Sequence, residues 1–341
     1  MKTKLWMLGA AVAALTSCTQ SEVVEIPESR VIGFDSHVDK GTRAVTPIAS
    51  KNALSKFAVY GHDGSNMIFN KTEVVKDAGT NMYEYSGTQQ TWHVGTTYKF
   101  AAFSDGNENS ATTSFDPTTQ ALTISNYEVD DTKDLIASIL PPVEIDETGS
   151  NIPAGRLMFS FKHLLSRVRF EIENSTSSES NLGIKIDKIT INGIKTGNCT
   201  YALNNDNSLN CTWAEVTKGD YVYDFGDAVI DPGKGNLVEH FVIPQSNDID
   251  ITITVSSYVK NGDTYSESPT SVKNHIVSLN HGFSGTDGDD CWKEGWVYNY
   301  LIKVGATASY IKFDASVSDW DYDFNGNNDQ GSDDDITSEL N

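Results

Sequence analysis

The sequence predicts an all-β protein made of two tandem β-sandwiches that follow a short leader. Apolar and polar residues alternate in nearly every patterned stretch, and clusters of Asn, Asp, Gly and Ser separate these stretches. No long run shows the helical period of an amphipathic helix. The 341 residues suggest two domains rather than one. Short strands at this spacing are typical of sandwich folds.

The first 17 residues have the pattern of a secretory signal peptide. Lys2 and Lys4 form a basic head, and an uncharged stretch runs from Leu5 to Leu15. This stretch is shorter than the roughly 20 residues that span a bilayer. The residues LTSC, which end at Cys18, resemble a bacterial lipobox, so we expect cleavage before Cys18 and acylation (palmitate) of its thiol. An ordinary cleaved signal with a chance cysteine is the alternative.

The chain is strongly acidic, and this excludes one class of partner. Its formal charge is −22, and loss of residues 1–17 would make it −24, because Lys2 and Lys4 leave and no acid does. Such a chain repels phosphate backbones, so we expect no nucleic-acid partner. Contact with the outer membrane is expected through the lipid anchor only.

Three cysteines remain once Cys18 is set aside, too few for a disulfide scaffold. Cys199 and Cys211 are equally distant from Asn205, so a hairpin turning there would bring them face to face. We predict a disulfide between them, with two small buried thiols as the alternative. Cys291 would then be unpaired and buried.

The alternation of apolar and polar residues predicts eight strands, and one Asn-Gly dipeptide predicts a hairpin. In chain order they are KFAVYG (56–61), TYKFAAFS (97–104), ALTISNYEV (121–129), KIDKITING (185–193), DYVYDFG (220–226), HFVIPQ (240–245), VYNYLIKV (297–304) and YIKFDASVSDW (310–320). Asn261-Gly262 lies between two β-rich arms, which predicts a hairpin turn.

The segment 157–174 contains two alternating apolar sets of opposite parity. A bend around His163 to Ser166 would reconcile the two sets. The Pro and Gly cluster at 147–155, just before this segment, is the predicted domain boundary. The predicted units are a signal peptide (1–17), a lipidated leader with a releasable strand (18–43), an N-terminal β-sandwich (44–153), a C-terminal β-sandwich (154–320) and an acidic tail or strand extension (321–341).

No pattern in the sequence indicates an enzyme or a cofactor. The chain lacks HExxH, GxSxG and a phosphate-cradling glycine loop. The seven histidines, at 37, 62, 93, 163, 240, 275 and 281, show no metal-binding spacing. His163 lies in an apolar segment, which predicts a hydrogen-bonded core histidine. We therefore expect a non-enzymatic protein.

Several stretches together resemble the fimbrillin family, the lipoprotein-precursor pilins of Gram-negative anaerobes. The resemblance runs from about Phe57 to Trp320 and rests on the order of the stretches behind the lipobox. These are FAVYG, YKFAAFS, KDLIAS, LMFSFKHLLSRVRFEI, FVIPQ and GWVYNYLIKV followed by IKFDASVSDW. The family implies two transthyretin-like sandwiches, extracellular assembly with other fimbrial subunits, and adhesion to a receptor that the sequence does not identify.

The resemblance also implies maturation by an arginine-specific surface protease. The matching bond is Arg43-Ala44, in a loop that Gly41 and Pro47 mark as accessible. Cleavage there would make Ala44 the new N-terminus. A solvated arginine in a turn is the alternative.

The leader contains a strand that such a cut could release. Val24, Ile26, Ile32 and Phe34 occupy even positions and form a largely apolar face. We expect this face to fill a groove of the first sandwich. After cleavage, a strand of another subunit could replace it by donor-strand exchange.

The C-terminus offers a candidate donor strand. Its core strand carries Ile311, Phe313, Ala315 and Val317 at odd positions. The parity then changes, which puts Trp320, Tyr322 and Phe324 on one face and Asp319, Asp321 and Asp323 on the other. A strand end followed by an acidic tail is one alternative. A calcium loop is another, and its ligands would be Asp321, Asp323, Asn325 and Asp329.

Two functions remain open from the sequence. The first is a fimbrial subunit or accessory adhesin polymerised by strand exchange. The second is a monomeric surface lipoprotein that binds a host protein or a glycan. Stacking on a glycan would use aromatics beside a shallow face, drawn from Trp92, Trp213, Trp292 and Trp296, although a buried core position is the simpler expectation for most of them.

Overall fold

The fold consists of β-strands joined by turns and loops. The computed structural model describes residues 30–38, 54–64, 66–280, 291–305 and 311–319. Across these ranges the secondary structure includes no α-helix, which confirms the all-β prediction. The described part of the chain accordingly holds no helix with the length and apolar character to cross a membrane.

Twenty-two strands form in the described residues. The first ten are β1 (Phe34–Val38), β2 (Lys56–Asp63), β3 (Asn66–Lys76), β4 (Tyr83–Tyr85), β5 (Thr97–Asp105), β6 (Thr112–Asp116), β7 (Ala121–Glu128), β8 (Leu135–Ile139), β9 (Val143–Glu144) and β10 (Leu157–His163). The others are β11 (Ser166–Asn174), β12 (Leu182–Ile186), β13 (Ile189–Leu203), β14 (Leu209–Tyr223), β15 (Gly235–Val242), β16 (Gln245–Ser246), β17 (Asp250–Asn261), β18 (Thr264–Tyr265), β19 (Ser271–Ser278), β20 (Cys291–Trp292), β21 (Trp296–Val304) and β22 (Ile311–Asp319).

The first sheet has the order β1-β10-β8-β5-β2-β3-β4, and β9 also pairs with β5. All its neighbours are antiparallel except β1 and β10, which run parallel with Phe34 opposite Leu157. The sheet curls so that its two edge strands approach each other, because the rings of Phe34 on β1 and Tyr85 on β4 lie 5.9 Å apart. The N-terminal strand β1 therefore lies between β10, with which it pairs, and the far edge of the sheet at β4.

Four further sheets complete the molecule in the described residues. Their orders are β15-β11-β21-β22, then β12-β17-β18 with β19 also beside β17, then β14-β13-β7-β6, and finally the pair β16-β20. Strands β6 and β7 come from the first half of the chain, yet β7 pairs with β13 from the second half, and β6 pairs with β7. The two halves are thus joined by backbone hydrogen bonds as well as by the chain.

Two hydrophobic cores lie on opposite faces of the first sheet. The first core contains Phe34, Phe57, Phe69, Tyr98, Phe100, Phe159 and Phe161 among its buried side chains. The second core begins on the other face with Tyr60, Ala101, Phe103 and Leu135, and continues through the strands of the second half. Alternation along β5 explains this arrangement, since Phe100 points to one core and Phe103 to the other.

The predicted bend between the two alternating sets is confirmed. Strand β10 ends at His163, a bend follows at Leu165, and β11 begins at Ser166. The change of sheet also occurs here, because β10 pairs with β1 and β8 whereas β11 pairs with β15 and β21. The predicted boundary between residues 153 and 154 lies in the loop before β10. Strand β10, which follows this boundary, pairs with β8, which precedes it.

Both predicted hairpins form, each with a turn one residue later than expected. Strands β17 and β18 are joined by Gly262-Asp263, and Gly262 has a φ of 65°, which suits glycine. In the β13–β14 hairpin Cys199 lies opposite Trp213 and Cys211 lies opposite Tyr201. The face-to-face pairing predicted for the two cysteines is wrong, because this one-residue shift makes them diagonal neighbours.

Candidate functional site

The N-terminal segment, residues 30–38, occupies a groove of the first core. Ile32 and Phe34 are completely buried there, and Ser36 is buried as well. This agrees with the apolar face predicted for the leader at Ile32 and Phe34, whereas Val24 and Ile26 lie outside the described residues. Burial of an Ile or Phe side chain stabilises a structure by about 1.5–3 kcal/mol.

Aromatic rings form the floor of this groove beneath Phe34. The Phe34 ring lies 5.1 Å from Phe69 and 6.0 Å from Phe100, both in edge-on geometry. It lies 5.7 Å from the ring of Phe159 on β10. Aromatic pairs at these separations add about 0.5–1.5 kcal/mol each to the burial term.

Backbone hydrogen bonds hold the segment on both sides. Along one side β1 pairs in parallel with β10 over its whole length. Along the other side, the Ile32 amide donates to the Gln90 carbonyl and the Trp92 amide donates to the Arg30 carbonyl, both at 2.8 Å. We call the slot between β10 and residues 83–92 the strand groove. A strand in it adds to two edges at once.

Tyr85 fixes the outer wall of the strand groove. Its hydroxyl donates to the Ile32 carbonyl at 3.0 Å and accepts from the Gln90 amide at 3.1 Å. Burial raises the pKa of Tyr85, so the hydroxyl stays protonated and able to donate. The wall is therefore ready to hydrogen-bond the backbone of any strand in the groove, whatever its side chains.

Most other predicted site residues lie outside the described residues. These are Cys18, Arg43, Ala44, Trp320, Asp321, Tyr322, Asp323, Phe324, Asn325 and Asp329. The core strand that precedes this tail is described: Ile311, Phe313 and Ala315 on β22 are buried, as their alternation predicted. Strand β22 is an edge of its sheet and pairs with β21.

The cysteines that the structure describes are thiols. The sulfurs of Cys199 and Cys211 lie 3.4 Å apart, which is contact without a bond. Cys199 is buried, whereas Cys211 and Cys291 are half-buried. Oxidation of these two neighbouring thiols would form the predicted bond between Cys199 and Cys211.

The four tryptophans considered for glycan stacking face inward. Trp92 and Trp292 are buried, and the other two, Trp213 and Trp296, are half-buried against the second core. The Trp213 indole donates to the Leu164 carbonyl at 3.0 Å, which ties β14 to the bend after β10. These side chains therefore stabilise the fold and do not form an exposed platform.

A buried ionic group, which the sequence pattern did not predict, lies at the junction of the halves. Arg167 is completely buried and donates to Glu239 at 2.6 Å, and Arg169 donates to the same carboxylate at 2.8 Å. Nearby, Asp134 and His163 form a buried pair at 2.9 Å, which confirms the hydrogen-bonded core histidine. The feature of the sequence that indicates this group is the pair of arginines, Arg167 and Arg169, on either side of Val168.

No cluster in the described ranges gathers three metal-ligating side chains. A cleft of about 680 Å³ is lined by Asp105, Glu128, Asp130, Asp131 and Lys133 with their neighbours. Its carboxylates are used internally, since Asp105 accepts from Ser110 and Ala111 and Asp131 pairs with His240. We therefore take the strand groove as the candidate site.

A solved structure shares this fold. A fimbrial protein from Bacteroides vulgatus ATCC 8482 aligns with a TM-score of 0.54 and 14% identity, over 85% of this chain and 99% of the other. A candidate cell adhesion protein from Bacteroides uniformis ATCC 8492 aligns with a TM-score of 0.49 and 16% identity, over 86% and 99%. A search of curated protein sequences gave no match.

The sequence also matches a protein-family model. The model is described as Fimbrillin-like, and it matches residues 42–320, which is most of the chain. The match begins after the N-terminal segment and ends just beyond β22. The chain belongs to the fimbrillin-like family.

Proposed function

We propose that the protein is a structural subunit or accessory adhesin of cell-surface fimbriae, assembled by strand exchange in the strand groove. The observation that carries this proposal is the position of β1, which lies between β10 and residues 83–92 and continues a segment that buries Ile32 and Phe34. Membership of the fimbrillin-like family supports it, as does the shared fold with a Bacteroides fimbrial protein. This role needs no catalytic site.

Loss of the N-terminal segment would leave a site that only another strand can fill well. It would uncover the aromatic floor formed by Phe69, Phe100 and Phe159, together with the unpaired edge of β10. Exposed apolar surface and open strand edges are both unfavourable in water, and strand addition relieves both. The incoming strand would gain affinity from the ladder and specificity from the Ile32 and Phe34 pockets.

Cleavage after Arg43 by a surface arginine-specific protease is the proposed trigger. Arg43 lies between the end of β1 at Val38 and the start of β2 at Lys56. A cut there would leave β1 attached to the rest of the protein by non-covalent contacts alone. Exchange would then become a competition between two strands for one groove.

The same cut would release the protein from its membrane anchor. The proposed lipidation site, Cys18, and the N-terminal segment both precede Arg43 in the chain. Lipidation would hold the precursor at the outer membrane until cleavage, and cleavage would then free the groove and the protein together. The proposed donor is the C-terminal face of Trp320, Tyr322 and Phe324 from another subunit.

A polymerisation assay on the precursor tests this function. We expect an arginine-specific protease to convert the purified chain into a ladder of oligomers on a mildly heated gel, with Ala44 as the new N-terminus. Arg43→Ala should stay monomeric, whereas Arg30→Ala, a change at another arginine of the leader, should polymerise normally. A wild-type chain that is cut at Arg43 and remains monomeric would favour the monomeric lipoprotein instead.

A further inference from the structure

Arg156 lies across the N-terminal strand. It is the residue before β10, and its Nη1 donates to the Phe34 carbonyl at 3.2 Å and also to the Tyr83 carbonyl. Its Nη2 donates to the Glu84 carboxylate on β4 at 2.6 Å. The guanidinium therefore starts beside β10, passes the strand in the groove, and binds the opposite edge of the sheet.

Gly33 is the residue over which this side chain passes. A Cβ at Gly33 would lie 3.1 Å from Cγ of Arg156 and 3.6 Å from Nη1. The φ of Gly33 is not in the left-handed region, so close approach and not backbone conformation explains the glycine here. Any side chain at the position of Gly33, in whichever strand fills the groove, would therefore contact Arg156.

In the direction of β1, the proposed donor strand carries an acid at this position in every register that seats one of its aromatic residues. Gly33 immediately precedes Phe34, whose side chain enters the aromatic pocket. In the sequence DWDYDF (319–324), an aspartate immediately precedes each of the three aromatic residues. Whichever aromatic enters the Phe34 pocket, a donor that runs in the direction of β1 puts an aspartate in the place of Gly33 beside Arg156.

We propose that Arg156 is the specificity-determining residue of the strand groove, and that it selects a donor strand of a second copy by pairing with the aspartate before the seated aromatic. This inference rests on the proposed strand exchange and names what the exchange recognises. The resident strand offers no acid at Gly33, so Arg156 pairs with Glu84. A donor aspartate would share or replace that partner in a charge-assisted hydrogen bond.

The side chain has the freedom that this role needs. Arg156 is 32% exposed and Glu84 is 58% exposed, so their ion pair can open at little cost. A new Cβ at position 33 requires Arg156 to move by only a few tenths of an ångström. An arginine can make that adjustment and keep its bond to the strand backbone.

A peptide-binding experiment on the full chain tests the proposal. The chain is cleaved after Arg43, and dissociation constants are measured for a peptide of residues 316–326 and for the same peptide with Asp319, Asp321 and Asp323 changed to Lys. Acceptors are the wild type, Arg156→Glu and Arg156→Gln. Lys56→Glu is the matched control, because Lys56 lies in the same sheet, is also 32% exposed, and pairs with Glu73 at 3.1 Å.

The measured quantity is the ratio of the two dissociation constants. Arg156→Glu and Lys56→Glu change the net charge equally, so long-range attraction or repulsion affects both ratios alike. We expect Arg156→Glu to shift the ratio at least tenfold toward the lysine peptide, Arg156→Gln to shift it less, and Lys56→Glu to leave it near the wild-type value. Equal ratios for all four acceptors would overturn the role of Arg156 and leave strand exchange intact. A cleaved wild type that binds neither peptide would instead count against the proposed exchange with this donor.

Discussion

Phe34 makes many of the side-chain contacts that hold the N-terminal strand in the strand groove. Its ring touches four other aromatic rings, on β3, β4, β5 and β10, so it connects β1 with its neighbour β10, with the centre of the first sheet and with the far edge at β4. A buried side chain with this many contacts contributes several times as much to the free energy of unfolding as an exposed side chain does. The retention of β1 therefore depends strongly on one residue.

Phe34→Ala should loosen β1 with little effect on the other strands. A buried Phe→Ala change costs about 3–5 kcal/mol. Because β1 is an edge strand, we expect this cost to appear as local opening, which would speed hydrogen exchange of the β1 amides at least hundredfold. The control Val75→Ala, at a side chain that is 43% exposed, should leave the exchange of β1 unchanged. Unchanged exchange in Phe34→Ala would contradict the importance given to this residue.

The cysteine pair gives a second prediction at this scale. We expect Cys199 and Cys211, with sulfurs 3.4 Å apart, to form a disulfide on exposure to a mild oxidant. The oxidised protein should resist alkylation at these residues and gain about 2–4 kcal/mol in free energy of unfolding.

Cys291→Ser provides the control for the disulfide, because Cys291 has no part in the pair. This variant should show the same gain on oxidation, whereas Cys199→Ser should show none. Full alkylation of Cys199 and Cys211 in the oxidised protein would rule the bond out.

Among the elements, β15 is tied to the loop after β7 by His240. Nδ1 of His240 lies 2.5 Å from Asp131, and Nε2 lies 2.8 Å from the Val222 carbonyl. Both partners are acceptors, so the doubly protonated ring satisfies both. Burial alone would lower the pKa of His240, and Lys195 also lowers it, but the hydrogen bond and charge of Asp131 outweigh both and raise it.

This contact predicts a loss of stability at higher pH. The pKa of an unfolded histidine is about 6.5. Because the folded-state pKa of His240 is raised, its contribution is complete below about pH 6.5 and is lost as the pH rises through the folded-state value. His240→Gln should remove this part of the pH dependence of the free energy of unfolding, measured by denaturant titration. The exposed His93→Gln should retain it, and identical pH profiles for wild type and His240→Gln would disprove the assignment.

At the scale of the whole molecule, the two halves share strands as well as a surface. Strand β10 completes the first sheet although it follows the predicted boundary, and β6 and β7 extend a sheet of the second half. The buried pairs Arg167–Glu239 and Asp134–His163 lie where the chain passes between the sheets. Separation of the halves would expose strand edges and unpaired charges together, which is costly.

We therefore expect the two cores to unfold as one unit. Slowly exchanging amides of β5 in the first sheet and of β21 in the second half should report the same free energy of opening, within about 1 kcal/mol. Hydrogen exchange followed by mass spectrometry at increasing denaturant measures both. Opening of β5 at a much lower denaturant concentration than β21 would show that the halves are independent.

Local pattern was sufficient to identify many of the strands and their buried faces. The alternation of Ile32 and Phe34, and of Ile311, Phe313 and Ala315, predicted which side chains would be buried. The change of parity between β10 and β11 predicted the bend that the structure contains. These features follow from the sequence because side-chain direction along a strand depends only on position within that strand.

Strand partners and registers were decided by the tertiary structure alone. The period of two is the same for every strand, so it does not encode that β1 runs parallel to β10, that β7 pairs with β13, or that Cys199 lies opposite Trp213. Nor does it place Arg156 over Gly33 or bury Arg167 beside Glu239. Those contacts join residues far apart in the chain, and they arise where packing of the two cores and satisfaction of buried polar groups select one arrangement among many.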